Sequence, residues 1–374
     1  MGEAGLRVLS IFGTRPEAIK MAPVVGRLEA QVGVKSHVCV TAQHREMLDP
    51  LLDLFDIHPD FDLDLMRPDQ PLVELTRAIL SGLDPVIREV KPDWILVQGD
   101  TTTVMAASLV AYYQHVRVGH VEAGLRTGDK WQPFPEEVNR RVAGVIADLH
   151  FAPTARAREN LIREGTPEER IVVTGNTVID ALQMVASRPY DLAAGPLADV
   201  SSEQRVILVT AHRRENFGEP LQRILLALEQ IAQTYRDEVT LIYPVHLNPN
   251  VREPAWERLG GIENVRLLEP LDYLPMVQLM KRSTLILTDS GGLQEEGPAL
   301  GVPVLVMREK TERPEAIEAG TARLVGTDTQ RIVAEARRLM DDPAAHSAMA
   351  HAVNPFGDGR AADRIVEALL AFDG

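Results

Sequence analysis

The sequence predicts an α/β protein made of two doubly wound parallel sheets. Three observations carry this. Short apolar runs alternate with helical spacing through both halves of the chain. Polar, glycine-containing clusters follow directly on those runs, where the carboxyl ends of parallel strands lie. A stretch with two prolines, a glycine and many polar residues, 188–204, separates the halves and reads as a linker. The expected domains are therefore 1–187 and 205–357, with a last helix over 358–374 that crosses back to the first.

In the first half, 8–12 is apolar enough for a buried strand, and Gly13 makes the tight turn after it. Pro16 suits the first turn of a helix, where its missing N–H costs nothing. Arg15 then sits at the lip of the strand and Lys20 one turn deeper. Two cations at a helix start oppose its dipole, so a bound anion is one reading and a solvated basic edge the other. A strand over 34–41 leads into an amphipathic helix, and 55–67 reads as irregular. Apolar spacings of three and four make 72–90 a helix, broken by Lys91-Pro92-Asp93. Strands follow at 94–97, 116–118, 149–152 and 171–173. The clusters at their ends include Gln98-Gly99-Asp100, Gly119-His120-Val121-Glu122 and Gly175-Asn176. Helices are expected over 104–113 and from Pro135-Glu136 to about 147.

The second half repeats the pattern, with strands at 206–209, 239–243, 265–268, 285–287 and 302–306. Helices are expected at 331–340 and 358–372. His212 and His246 stand just after two of the strands. The strand at 285–287 delivers Thr288-Asp289-Ser290-Gly291-Gly292-Leu293-Gln294-Glu295-Glu296 to a strand-to-helix turn. Two glycines there leave backbone N–H groups open, and the helix dipole favours an anion such as a phosphate. Ser290 adds a hydroxyl donor. Glu296 is badly placed for phosphate but suits a sugar diol. A glycine-rich cap of a structural helix is the competing reading of that turn.

Composition narrows the class. At 374 residues the chain exceeds one typical core, and 45% hydrophobic with 25% charged residues is ordinary for a globular protein. A net charge of −15 with no Lys/Arg block argues against nucleic acid. The single Cys39 reads as a small buried hydrophobe in a reducing compartment. Neither a signal-peptide shape nor an apolar stretch of roughly 18 residues is present, so no membrane span and a cytoplasmic location are expected. GxGxxG is missing after both first strands, which disfavours NAD. No HxxxH or CxxC pattern suggests a metal site.

Taken together, Gly13-Thr14-Arg15-Pro16-Glu17, Gln98-Gly99-Asp100-Thr101-Thr102, Gly119-His120-Val121-Glu122-Ala123-Gly124, Pro133-Phe134-Pro135-Glu136-Glu137-Val138-Asn139-Arg140 and the Thr288 to Glu296 turn resemble the non-hydrolysing UDP-N-acetylglucosamine 2-epimerases. The resemblance runs from the first strand to the last helix. It implies a GT-B-like fold, two Rossmann-type domains facing across a deep cleft, and a homodimer. It implies an isomerase that interconverts UDP-N-acetylglucosamine and UDP-N-acetylmannosamine without a cofactor, for envelope polysaccharide synthesis. The implied route is anti elimination of UDP through a 2-acetamidoglucal, then syn re-addition.

The resemblance also implies roles. Asp100, Glu122 and Glu136 are the acids tied to catalysis, and His212 stands beside the leaving phosphate. Arg15 and Lys20 bind substrate. Ser290, Gly291 and Gly292 hold the diphosphate, Glu296 the ribose, Arg313 the closed site, and Leu271 and Met276 contact uridine through backbone. Gln43, His44, Gln70 and His246 match a second UDP-N-acetylglucosamine site used for allosteric control in some members. The chemistry fits these residue types. The C2 proton has no adjacent carbonyl, so loss of UDP as it departs avoids a costly carbanion, and carboxylates can serve as base and acid. Which acid takes which step stays open. A hydrolysing 2-epimerase, a GT-B glycosyltransferase and a sugar-nucleotide sensor are the rival readings.

The acids fall in the first domain and the phosphate turn in the second, so neither domain alone holds a complete site. Substrate is expected to draw the domains together. Small-angle scattering should show a smaller radius of gyration with the UDP-sugar than without it.

Overall fold

A computed structural model describes residues 5–41, 45–65, 67, 70–191, 195–198 and 204–372, the side chains of 45–47 apart. Two compact units emerge, one comprising Met1–Met184 with Phe356–Gly374 and the other Val185–Pro355. The stretch 188–204 lies partly outside the described residues; within it Gly195–Leu197 form a single 3-10 turn.

The first unit is a seven-stranded, fully parallel sheet. Its strands are β1 (Leu6–Phe12), β2 (Val34–Val40), β3 (Phe61–Asp62), β4 (Trp94–Gln98), β5 (Arg117–Val121), β6 (Leu149–Ala152) and β7 (Ile171–Val173), ordered β3-β2-β1-β4-β5-β6-β7. Every residue of β4 is buried, as expected of a strand covered by helices on both faces. One core layer gathers Leu9, Ile11, Ile95 and Val97 under Leu75, Ile79, Leu83 and Val104 of two helices. The helix Leu72–Val90 ends at Lys91, which takes a left-handed φ of 48° before Pro92. Residues 55–67, expected to be irregular, contain the two-residue edge strand β3, too short to leave a periodic signal. The last helix, Ala361–Leu370, packs on this unit. Arg27 Nε donates to Asp363 at 2.9 Å, and Phe372 meets Trp94 edge-on at 5.1 Å between ring centres.

The second unit is a six-stranded parallel sheet of β8 (Arg205–Thr210), β9 (Val239–Pro244), β10 (Val265–Leu268), β11 (Leu285–Thr288), β12 (Val304–Val306) and β13 (Ala322–Leu324), ordered β10-β9-β8-β11-β12-β13. The sequence reading did not anticipate β13 or the helix Pro343–Ala350; both are short, and their apolar positions are few. In each unit the order reverses beside the first strand, between β1 and β4 and between β8 and β11. That reversal is the Rossmann-type switch point, where diverging connections leave a crevice at the carboxyl ends of the strands. No helix among the described residues is long and apolar enough to cross a membrane.

Gly124 shows how tightly the loop after β5 is seated. It has a φ of +90°, and an added Cβ would lie 2.3 Å from the Ala157 carbonyl oxygen. Gly124→Ala is expected to lower stability by about 1–3 kcal/mol through strain and overpacking, read from the urea unfolding midpoint.

Candidate functional site

The turn after β1 opens the helix Arg15–Glu29. Thr14 caps it, and Pro16 lies in its first turn. The buried Glu17 carboxylate reaches back to accept from the backbone N–H of Gly13 (3.0 Å) and Thr14 (2.7 Å) and from the Thr101 hydroxyl (2.6 Å). Burial raises its pKa, against those hydrogen bonds. The open helix start is thus closed by the chain's own acid. Lys20 does not face outward for an external anion either. Its ammonium donates to both oxygens of Glu122, at 2.6 and 2.7 Å. Arg15 is half-buried and makes no ion pair among the described residues.

Glu122 follows β5 at a φ of +62°, a left-handed conformation uncommon outside glycine. Its carboxylate also accepts from the Gln98 side-chain amide and from Asn176 Nδ2 at 3.0 Å. Gln98 ends β4 and Asn176 follows β7, so with Lys20 three separate segments converge on one buried acid. Asp100 lies two residues past Gln98. Arg140 Nη2 donates to its carboxylate, and Asn139 donates to its backbone carbonyl at 3.0 Å. Glu136 starts the helix Glu136–Ile146, and its Oε2 is buried with no hydrogen-bond partner among the described residues. Glu137 beside it is fully buried; it accepts from the amides of Thr127 (3.1 Å) and Gly128 (3.3 Å) and pairs with Arg140 at 3.4 Å. His120 is bonded to the Gly99 carbonyl at 2.7 Å. Burial pushes His120 down to about 4 and its cross-strand neighbour His150 down to about 3, so both rings are neutral at physiological pH.

In the second unit the organising group is Asp289, fully buried at the end of β11. It accepts from the amides of His212 (2.9 Å) and Arg213 (2.9 Å) and from Asn216 Nδ2 (3.0 Å). The His212 ring stacks on His246 at 5.5 Å between centres, and its Nδ1 lies 3.6 Å from Asp289. Burial lowers the His212 pKa; Asp289 opposes this, and Arg213 and His246 add to it. Ser290 N–H donates to Thr288 Oγ1 at 2.9 Å. Gly291 and Gly292 have negative φ, so no left-handed backbone requires glycine here. An added Cβ on Gly292 would meet Glu296 Oε2 at 3.3 Å, and one on Gly291 would meet Arg213 Nη2 at 3.7 Å. Their amides donate to no acceptor among the described residues. Glu296 lies in the first turn of the helix Leu293–Ala299 and accepts from the Tyr273 hydroxyl at 3.1 Å. Arg313 Nε donates to Glu295. Leu271 is buried, and the Met276 amide donates to Asp272 O at 3.0 Å inside a helix start.

Of the four positions matched to a second ligand site, Gln43 and His44 lie outside the described residues. Gln70 Oε1 accepts from the Arg67 amide at 3.2 Å, and His246 is exposed, its Nδ1 accepting from Asn248 N–H at 3.1 Å. The residues that sequence reasoning passed over are the supporting ones. Glu17, Gln98, Glu137, Arg140, Asn176 and Asp289 are polar, buried and near strand ends. That combination appears only once burial is known. Arg213 was also missed. It is half-buried with no partner at Nε among the described residues, and its guanidinium lies against the glycine turn.

The His212 environment gives a signed test. Asp289→Asn is expected to move the His212 titration lower, by removing the negative charge that favours imidazolium. His246→Ala should move it higher, by removing a like charge. Proton NMR of the imidazole C–H signals over pH reads both.

The family model for UDP-N-acetylglucosamine 2-epimerase matches residues 26–370. A UDP-N-acetylglucosamine 2-epimerase of Salmonella typhimurium is 56% identical, over 98% of this chain and 99% of its own. A solved chain from Listeria monocytogenes is 50% identical, covering 98% of this chain and 96% of that one, with a TM-score of 0.93. The Neisseria meningitidis enzyme, solved with UDP-N-acetylglucosamine bound, is 49% identical over 98% and 100% of the two chains, with a TM-score of 0.87. With buried acids at one switch point, an open glycine turn at the other and this likeness along nearly the whole chain, the protein belongs to the UDP-N-acetylglucosamine 2-epimerase family.

Proposed function

We propose that this protein interconverts UDP-N-acetylglucosamine and UDP-N-acetylmannosamine in both directions, without hydrolysis. The observation that carries the reading is the Glu122 clamp: a buried carboxylate gripped by Lys20, Gln98 and Asn176, with Asp100 on the neighbouring strand end. The sugar-nucleotide complex of the Neisseria meningitidis relative supports the substrate.

The C2 proton passes to a carboxylate while the C1–O bond breaks, and its electron pair leaves on the β-phosphate of UDP. A C1=C2 double bond forms, giving 2-acetamidoglucal by anti elimination. Protonation of C2 on the other face and attack of the UDP oxygen on C1 then complete a syn addition. Asp100, Glu122 and Glu136 move the protons. Cations hold the first two in place, Lys20 on Glu122 and Arg140 on Asp100, while Glu136 keeps a buried oxygen for the substrate. Arg15, His212, Ser290 and the Gly291 and Gly292 amides stabilise the departing diphosphate, and Glu296 takes the ribose diol. Leu271 and Met276 face the base, and Arg313 acts when substrate is bound. The same reading takes the protein to be a cytoplasmic homodimer supplying envelope polysaccharide synthesis. Gln43, His44, Gln70 and His246 then belong to a second, activating UDP-N-acetylglucosamine site.

A general acid or base contributes about 10²–10⁴-fold, so Glu122→Gln and Asp100→Asn are each expected to cut turnover by at least about a hundredfold while UDP still binds. In D₂O the product should carry deuterium at C2. An ¹⁸O label in the glycosidic bridge should scramble into the non-bridging β-phosphate positions. Deuterium uptake without scrambling would mean that the C1–O bond stays intact, against elimination. Free N-acetylmannosamine in the NMR spectrum would instead identify a hydrolysing enzyme.

A further inference from the structure

Asn176 stands at a junction that the reaction chemistry alone does not require. Its Oδ1 accepts from the Val178 N–H at 3.1 Å, which fixes the side-chain amide. Nδ2 is thereby turned to Glu122 Oε1 at 3.0 Å. Its backbone N–H donates to the Phe356 carbonyl at 2.6 Å. Phe356 is the residue at which the chain returns to the first unit. The backbones at this crossing are nearly in contact. A Cβ on Gly357 would lie 3.2 Å from Gly175 Cα and 3.5 Å from Asn176 N, and one on Gly175 would lie 3.1 Å from Gly357 Cα. Both glycines have positive φ, +88° and +128° for Gly175 and Gly357. Asn176 and Phe356 are buried, so the linkage is shielded from water.

We infer that Asn176 is a positioning residue that sets the Glu122 carboxylate and ties its placement to the return crossing at Phe356-Gly357. Lys20 and Gln98 reach Glu122 from the first helix and from β4, inside the body of the sheet. Of these donors, Asn176 carries the hydrogen bond to the crossing. A shift of the crossing therefore moves the amide that shares Oε1 with the Lys20 ammonium. This rests on the reading of Glu122 as a proton-transfer group.

Asn176→Asp tests it. The variant keeps size and the acceptor for Val178 N–H, but turns an acceptor towards Glu122. Misplacement of a reacting group by about 1 Å costs about a hundredfold. Turnover per folded protein is therefore expected to fall by about tenfold to a hundredfold, with calorimetric UDP affinity unchanged. Gly357→Ala, which touches neither Glu122 nor substrate, is expected to lower turnover in the wild-type background and to add little in the Asn176→Asp background, because the two act through one linkage. Full turnover in Asn176→Asp overturns the inference, as does equal loss of turnover and UDP affinity or strict additivity of the pair. If Gly357→Ala does not fold, the split between turnover and UDP affinity in Asn176→Asp decides alone. Glu122→Gln run in parallel separates the two levels. Retained turnover there removes the proton-transfer reading of Glu122, whereas its loss beside full turnover in Asn176→Asp removes only the positioning role.

Discussion

In each unit a buried carboxylate bridges the turns on either side of the sheet's reversal point. Glu17 ties the turn after β1 to Thr101 after β4, and Asp289 ties the turn after β8 to the end of β11. The constraint is desolvation. A carboxylate out of water must collect donors, and the nearest are the N–H groups of a turn whose helix or strand has not engaged them. Each acid therefore fixes a turn backbone, Glu17 that of its own turn and Asp289 that of the neighbouring strand's turn. The polar groups that face the crevice inherit that geometry.

The two units use the fixed turns differently. The first spends its cations internally: Lys20 goes to Glu122, and Arg140 is shared between Asp100 and Glu137. Glu122, Asp100 and Glu137 are held as hydrogen-bonded, charge-compensated groups, the condition for positioning a carboxylate without leaving a buried charge uncompensated. Among the described residues the second unit leaves donors without acceptors, at Arg213 Nε and the amides of the glycine turn. One surface suits proton transfer and the other an anionic group. A reaction that removes a proton while releasing a diphosphate needs both.

The same economy explains the loop after β5. Glu122 takes a left-handed backbone angle between Gly99 at +81° and Gly124 at +90°. Such a conformation is costly for a side-chain-bearing residue and persists where surrounding contacts over-determine it. Here those contacts are three donors on the carboxylate and the close seating of Gly124 against Ala157.

By itself the sequence determined the doubly wound fold and the family. Strand and helix periods differ, and a parallel strand buried on both faces leaves an unbroken apolar run, as in Trp94-Ile95-Leu96-Val97. Pro16 announced a helix start through local geometry alone. The polar clusters at Gln98-Gly99-Asp100, His120-Val121-Glu122 and Thr288 to Gly292 were also legible, because each follows an apolar run directly in the chain. Two-residue β3, β13 and the helix Pro343–Ala350 were not, being too short for a period to show. What only the tertiary structure decided is which polar residues hold the others. Lys20 and Glu122 are 102 positions apart, and Asn176 and Glu122 are 54 apart. Nothing local distinguishes Asn176, Glu137 or Asp289 from a solvated side chain. Only folding removes the water around them, and from that point each must find its partner across the chain.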